Sequence, residues 1–190
     1  AGPAPGTADT PSRFFRRRIG LDDVRTVPLR VGARMTGKSG RFTYGLLDVH
    51  TGEDSTQTID PANFAVVRVK RDILRRSSIG AMVTHRTDTP GVPGTNEGYG
   101  VDSALGFYEN VRIDAYLAKT RSEGRTGNDL SYRGAFDYNA DRYGLQVEQL
   151  VVEPNFRPEI GFVRRTDMRR SAGLARFSPR PTSLDPIRKL

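Results

Sequence analysis

Four carboxylates stand where paired acid–base chemistry could be built: Asp102, Asp114, Asp137 and Glu148. Each falls on the polar side of an alternating stretch, and two carboxylates flanking a bond are the core equipment of a glycoside hydrolase. Four arginines share that side: Arg68, Arg112, Arg133 and Arg142. Interleaved with the carboxylates, they favour a lumenal ladder of salt bridges over catalysis. One cross-strand charge pair contributes from a fraction of a kcal/mol to about 1 kcal/mol, so a ladder matters by number. All eight are expected to line a polar interior.

Other candidate chemistry is thinner. A Ser-His-Asp triad needs a histidine, and the chain has two, His50 and His85. Both lie at or near the end of an alternating stretch, where a rim histidine is the better reading. Two histidines so far apart are a weak basis for a metal site, and neither metal nor other cofactor is expected. The absence of cysteine removes disulfides, thiolate sites and cysteine nucleophiles. Gly37-Lys38-Ser39-Gly40 lacks the spacing and the following helix of a phosphate loop, and reads as a hairpin turn. The most distinctive loop, NFRPEIGF at 155–162, could contact a ligand; a strand start shaped by Pro158 and Gly161 is favoured.

The elements that must position these residues are strands. From Val27 onward, segments of about ten residues alternate apolar and polar side chains, the period of a β-strand. The expected strands are 27–36, 41–50, 63–72, 78–87, 97–108, 111–121, 129–138 and 142–152, with a weaker last pair at 159–164 and 168–178. The phase is clean at Val111, Ile113, Ala115 and Leu117 against Arg112, Asp114 and Tyr116, and weakens at Leu47-Asp48-Val49. Connections alternate between tight turns and longer polar loops, such as 88–96 with two prolines and two glycines. A helical period of 3.6 is nowhere convincing. The fold expected is all-β: an antiparallel up-and-down meander of about ten long strands, forming part of a transmembrane β-barrel over residues 13–190, after a Pro/Gly/Ala-rich linker or loop at 1–12.

Composition agrees. Of 190 residues, 27% are charged and 36% hydrophobic, a low apolar share for a packed globule but suited to a barrel with a polar lumen. Mean hydropathy is −0.55, and no run approaches the roughly 18 apolar residues of a membrane helix. The net charge of +8 invites a nucleic-acid reading. The arginines are spread along the chain and sit in no recognition motif, so nucleic-acid binding is not expected. Strands of ten to twelve residues exceed the usual five or six of globular sheets and suit a tilted bilayer crossing. Tryptophan is absent, so Tyr99, Phe107, Tyr132, Tyr138 and Tyr143 would have to form the aromatic girdles. The chain opens without methionine and without a signal peptide, which reads as a processed or excised piece.

Four strings resemble an uncharacterised bacterial family, domain-of-unknown-function family 5916. They are Phe14-Phe15-Arg16-Arg17-Arg18-Ile19-Gly20, VRVKRDILRRSSIGAMVTHR at 67–86, YGVDSALGFYENV at 99–111 and NFRPEIGFVRR at 155–165. The resemblance covers about residues 13–180. It implies a Gram-negative outer-membrane β-barrel region that usually follows a DOMON-like, family-nine carbohydrate-binding module. Some members are labelled membrane-associated hydrolases, by association with that module. The module is not in this chain, so glycan binding or hydrolysis would belong outside these residues. The chain ends on Ile187-Arg188-Lys189-Leu190 without a terminal aromatic, and the barrel is expected to continue past Leu190.

The expected function is thus a segment of a bacterial outer-membrane β-barrel, non-catalytic itself, linked to glycan or solute binding and uptake at the cell surface. Its expected partner is the outer-membrane lipid bilayer, with a glycan reached through the neighbouring module. The alternatives are a membrane-associated carbohydrate-active hydrolase using a lumenal carboxylate pair, and a soluble β-rich binding domain.

Overall fold

The computed structural model describes residues 21–22, 25–26, 28–52, 61–88, 94–124, 126–160, 163 and 165–179. The proposed linker at 1–12 and the Phe14–Gly20 string lie outside the described residues. Two short strands, β1 (Leu21–Asp22) and β2 (Arg25–Thr26), pair with each other. Nine longer strands follow: β3 (Leu29–Ser39), β4 (Phe42–Thr51), β5 (Ala62–Leu74), β6 (Ser77–Asp88), β7 (Asn96–Phe107), β8 (Val111–Ser122), β9 (Leu130–Asn139), β10 (Tyr143–Val152) and β11 (Met168–Phe177). They form one antiparallel sheet in strict chain order, β3 to β11, with no helix among the described residues.

Turn chemistry sets the register. Gly40 takes a left-handed φ of 55°, which lets a two-residue turn close directly between Ser39 and Phe42. Gly37 to Ser39, expected in the turn, therefore belong to the strand. The connector expected at 73–77 is also tighter: the turn is Arg75-Arg76, and the register slips between Asp72 and Leu74. Tyr108 carries a left-handed φ of 53° in the β7–β8 turn, so Glu109-Asn110 is extended by one residue.

Opposed residues in an antiparallel ladder share a face. Following the pairs Val69–Ala81–Val101–Leu117–Tyr132–Val151 across β5 to β10 traces one apolar face. Large side chains on it stay open to the surroundings, among them Met35, Val67, Val83, Val101, Leu117 and Val147. The other face carries Arg68, Asp102, Arg112, Asp114, Arg133, Asp137 and Glu148, as the alternation predicted.

The buried core is on that second face, which corrects the picture of an interior that is polar throughout. The segment 153–160 is not a strand; it folds back over the sheet, and Phe156 and Ile160 are 1% exposed. Phe156 packs with Ala118, Leu150 and Val152, and Ile160 with Val66 and Met82. Tyr116 and Met168 border the first cluster, and Leu47 and Phe64 the second. These neighbours run from β4 to β11, seven strand spacings or about 34 Å if flat. Four residues of chain reach at most about 14 Å, so the sheet must curl around the strap. Pro154 and Pro158 lack the N–H that a ladder needs. Of the weak last pair, the strand expected at 159–164 is accordingly not formed among the described residues, whereas the one expected at 168–178 is β11, which pairs β10 directly.

Among the described residues strands β3 and β11 each have one unpaired edge, and β3 is exposed along its whole length. Open edges and an uncovered apolar face both promote association. The isolated 190-residue chain is expected to self-associate in buffer and to become monodisperse in detergent micelles. Size-exclusion chromatography with light scattering checks this; a monodisperse monomer in plain buffer overturns it.

Candidate functional site

The inner face divides into two halves. Near the long loops it is apolar and sealed by the 153–160 strap. Near the tight turns it is charged and open. The strap is held at several points. Asn96, 1% exposed, donates through Nδ2 to the Arg157 carbonyl at 3.0 Å, and its Oδ1 accepts from the Glu159 amide at 3.4 Å. The Arg157 amide donates to Thr120 Oγ1 at 2.9 Å, and Arg86 Nη1 donates to Glu159 Oε2 at 2.6 Å. At its start, the Asn155 amide donates to the Asn128 carbonyl at 2.8 Å, and the Leu130 amide to Glu153 Oε2 at 2.8 Å. Buried polar groups need such partners, and here Asn96 on β7 and Thr120 on β8 satisfy backbone that no ladder reaches.

In the charged half the expected ladder forms with specific partners. Arg68 Nη2 on β5 donates to both Asp102 oxygens on β7, at 3.1 and 3.0 Å, reaching across β6. Gly80 on β6 makes that approach possible, because a Cβ there would lie 2.9 Å from Asp102 Oδ1. Arg112 pairs with Asp114 along its own strand at 2.6 and 3.1 Å. Glu148 is held from both sides, Oε2 by Arg133 and Oε1 by Arg170. Asp137 accepts from Gln146 Nε2 at 3.0 Å, while its Oδ1 is buried without a hydrogen-bond partner among the described residues.

Seven of the eight residues expected on the polar face are therefore there. Arg142 is not: it sits in the exposed β9–β10 turn, where its carbonyl accepts from the Ser178 amide at 2.8 Å. The tight turn consumes residues 140–142 and starts β10 at Tyr143. Arg170 takes its place in the ladder. Its signal was present in the alternation of β11, but β11 could be phased against β10 only once the strap was known not to be a strand.

Arg112, Asp114, Arg133, Asp137, Gln146 and Glu148 line a cleft of about 890 Å³, the size range of small-ligand sites. Asp102 stands apart with Arg68. Within the cleft both oxygens of Asp114 and both of Glu148 are engaged by guanidinium groups, so neither is disposed as a free nucleophile or proton donor. His50 and His85 are half-exposed near the loop end of the sheet, 3.5 Å from Asp48 and 3.8 Å from Glu97. No group of three His, Cys, Asp or Glu residues suited to a metal ion occurs among the described residues.

Comparison with protein-family models, with curated proteins and with solved structures finds no match.

Two substitutions test the two halves. Phe156→Ala empties a buried ring site and is expected to destabilise the fold by about 3–5 kcal/mol, whereas Tyr108→Ala, at an 88% exposed position, should stay within about 0.5 kcal/mol. Glu148→Gln leaves Arg133 and Arg170 facing each other without their shared counter-charge, an expected loss of about 3–5 kcal/mol. Urea unfolding of the protein in detergent micelles measures all three.

Proposed function

We propose that this chain is a wall segment of a bacterial outer-membrane β-barrel, non-catalytic itself, that serves glycan or solute binding and uptake at the cell surface. The observation that carries the reading is the pairing of two unlike faces on one long-stranded sheet. A largely apolar face that no other described element covers runs along the sheet, and an ion-paired face lies behind it. Strands of 10–13 residues match the roughly 9–11 that a tilted crossing needs. Tight turns gather at one end and longer connections at the other, the usual arrangement of such barrels. Aromatic residues gather at the tight-turn end of the apolar face: Phe42 stacks on Tyr44, and Tyr143 on Phe177. On this reading a glycan-binding module beside the barrel would supply the ligand. The double engagement of Asp114 and of Glu148 by guanidinium groups favours a structural ladder over the hydrolase alternative.

The soluble alternative makes an opposite prediction at Val101. Because this side chain is 55% exposed, Val101→Lys should be nearly neutral in a water-facing sheet. On a lipid-facing wall it should cost about 2–4 kcal/mol. The full-length native protein is expected to fractionate with the outer membrane and to migrate differently on a gel before and after boiling. The Val101→Lys variant should lose that heat-dependent shift at lower urea. A soluble protein with no shift, and a lysine variant as stable as wild type, would remove the reading.

A further inference from the structure

The apolar face is not smooth. Between β5 and β8 it holds a groove of about 630 Å³ whose floor is made by the small residues Ala81, Ser103 and Ala115. Val69, Val101 and Leu117 flank it. Arg71 and Phe42 stand at its tight-turn edge, with the Arg71 guanidinium 5.2 Å above the Phe42 ring. A guanidinium at the edge of an apolar groove needs an anion or water. Among the described residues Arg71 makes no ion pair. The adjacent carboxylate, Asp72, is on the opposite face with Lys38 Nζ at 3.8 Å. Exposed Arg41 and Arg75 occupy the two neighbouring tight turns and add positive charge at the same edge. An apolar channel with a cationic mouth matches a molecule that is hydrocarbon along its length and anionic at its head.

We propose that this groove binds an anionic glycerophospholipid of the leaflet at the tight-turn end, its acyl chain over Ala81, Ser103 and Ala115 and its phosphate on Arg71. The inference rests on the membrane-wall reading and specifies a partner for it. Stacking on Phe42 fixes the guanidinium plane, and arginine presents several N–H donors to phosphate oxygens at once. The small residues let a chain lie against the sheet where larger side chains would hold it away. Lipids without net negative charge would fill the groove but gain nothing from the mouth.

The test uses full-length protein in vesicles of equal parts phosphatidylethanolamine and phosphatidylglycerol. Lipids that stay bound after gentle detergent extraction are counted by native mass spectrometry. Wild type is expected to retain phosphatidylglycerol preferentially. Arg71→Gln should lower that preference about fivefold, the effect of one cation near a charged surface, and Arg71→Lys should largely keep it. Ala115→Leu, which fills the floor, should lower retention of both lipids. The heat-dependent gel shift is read on every sample. A wild type that shifts but shows no phosphatidylglycerol preference, or variants that shift and retain lipid as wild type does, overturns the lipid site alone. A wild type without any shift overturns the membrane reading and this proposal with it.

Discussion

A β-ladder spends its backbone hydrogen bonds sideways, so its side chains have only two directions to go, and they must alternate. Everything else in this protein follows from that constraint. One sheet has two faces, and each needs a medium that suits it. Register is what keeps the two apart, because a one-residue slip would send every side chain to the opposite face. Across β3 to β11 the register slips only between Leu29 and Val31 and between Asp72 and Leu74, both at strand ends. The separation of apolar from polar therefore survives through nine strands.

The inner face solves a second problem. A curled sheet of this breadth encloses more space than its own side chains can fill, and an empty apolar interior forfeits dispersion contacts. The 153–160 strap fills one half with Phe156 and Ile160. The other half keeps its charges by pairing them. Glu148 between Arg133 and Arg170 is the most enclosed of these groups, and charges so placed hold only when their partners stay in position. The strap and the ladder are thus complementary: one excludes water, the other tolerates it. That division leaves a charged cleft open toward the tight turns and a packed plug toward the long loops.

Several particulars of this arrangement were legible in the residues. The eight middle strands, their hairpin order and the polar positions of Arg68, Asp102, Arg112, Asp114, Arg133, Asp137 and Glu148 could be read from period-two alternation. The strap could not, although it left a trace. Leu46-Leu47, Val66-Val67 and Leu150-Val151-Val152 are places where alternation gives way to consecutive apolar residues. In each, one residue faces outward and a neighbour, Leu47, Val66 or Leu150 and Val152, packs in the clusters around the strap. The weakened phase at Leu47-Asp48-Val49 marked inward burial of Leu47 and Val49 on either side of outward Asp48, and not a fading strand. Arg142 was misplaced for a smaller reason: turn length, which shifts a strand start by a residue, depends on backbone conformations that composition leaves open.

The sequence by itself determined the local rules: strands because of the two-residue period, hairpins because Gly40 and the short polar turns return the chain onto its neighbour, and opposite chemistry on opposite faces. These are short-range properties, set by residues a few positions apart. Only the tertiary structure decided which charge meets which, and what fills the curl. Arg86 finds Glu159 across 73 residues, Asn96 finds the Arg157 carbonyl across 61, and Arg68 finds Asp102 over the bare backbone of Gly80. Such pairings depend on how far the sheet bends and where a proline-bound loop turns inward, and no local pattern encodes a distance through space.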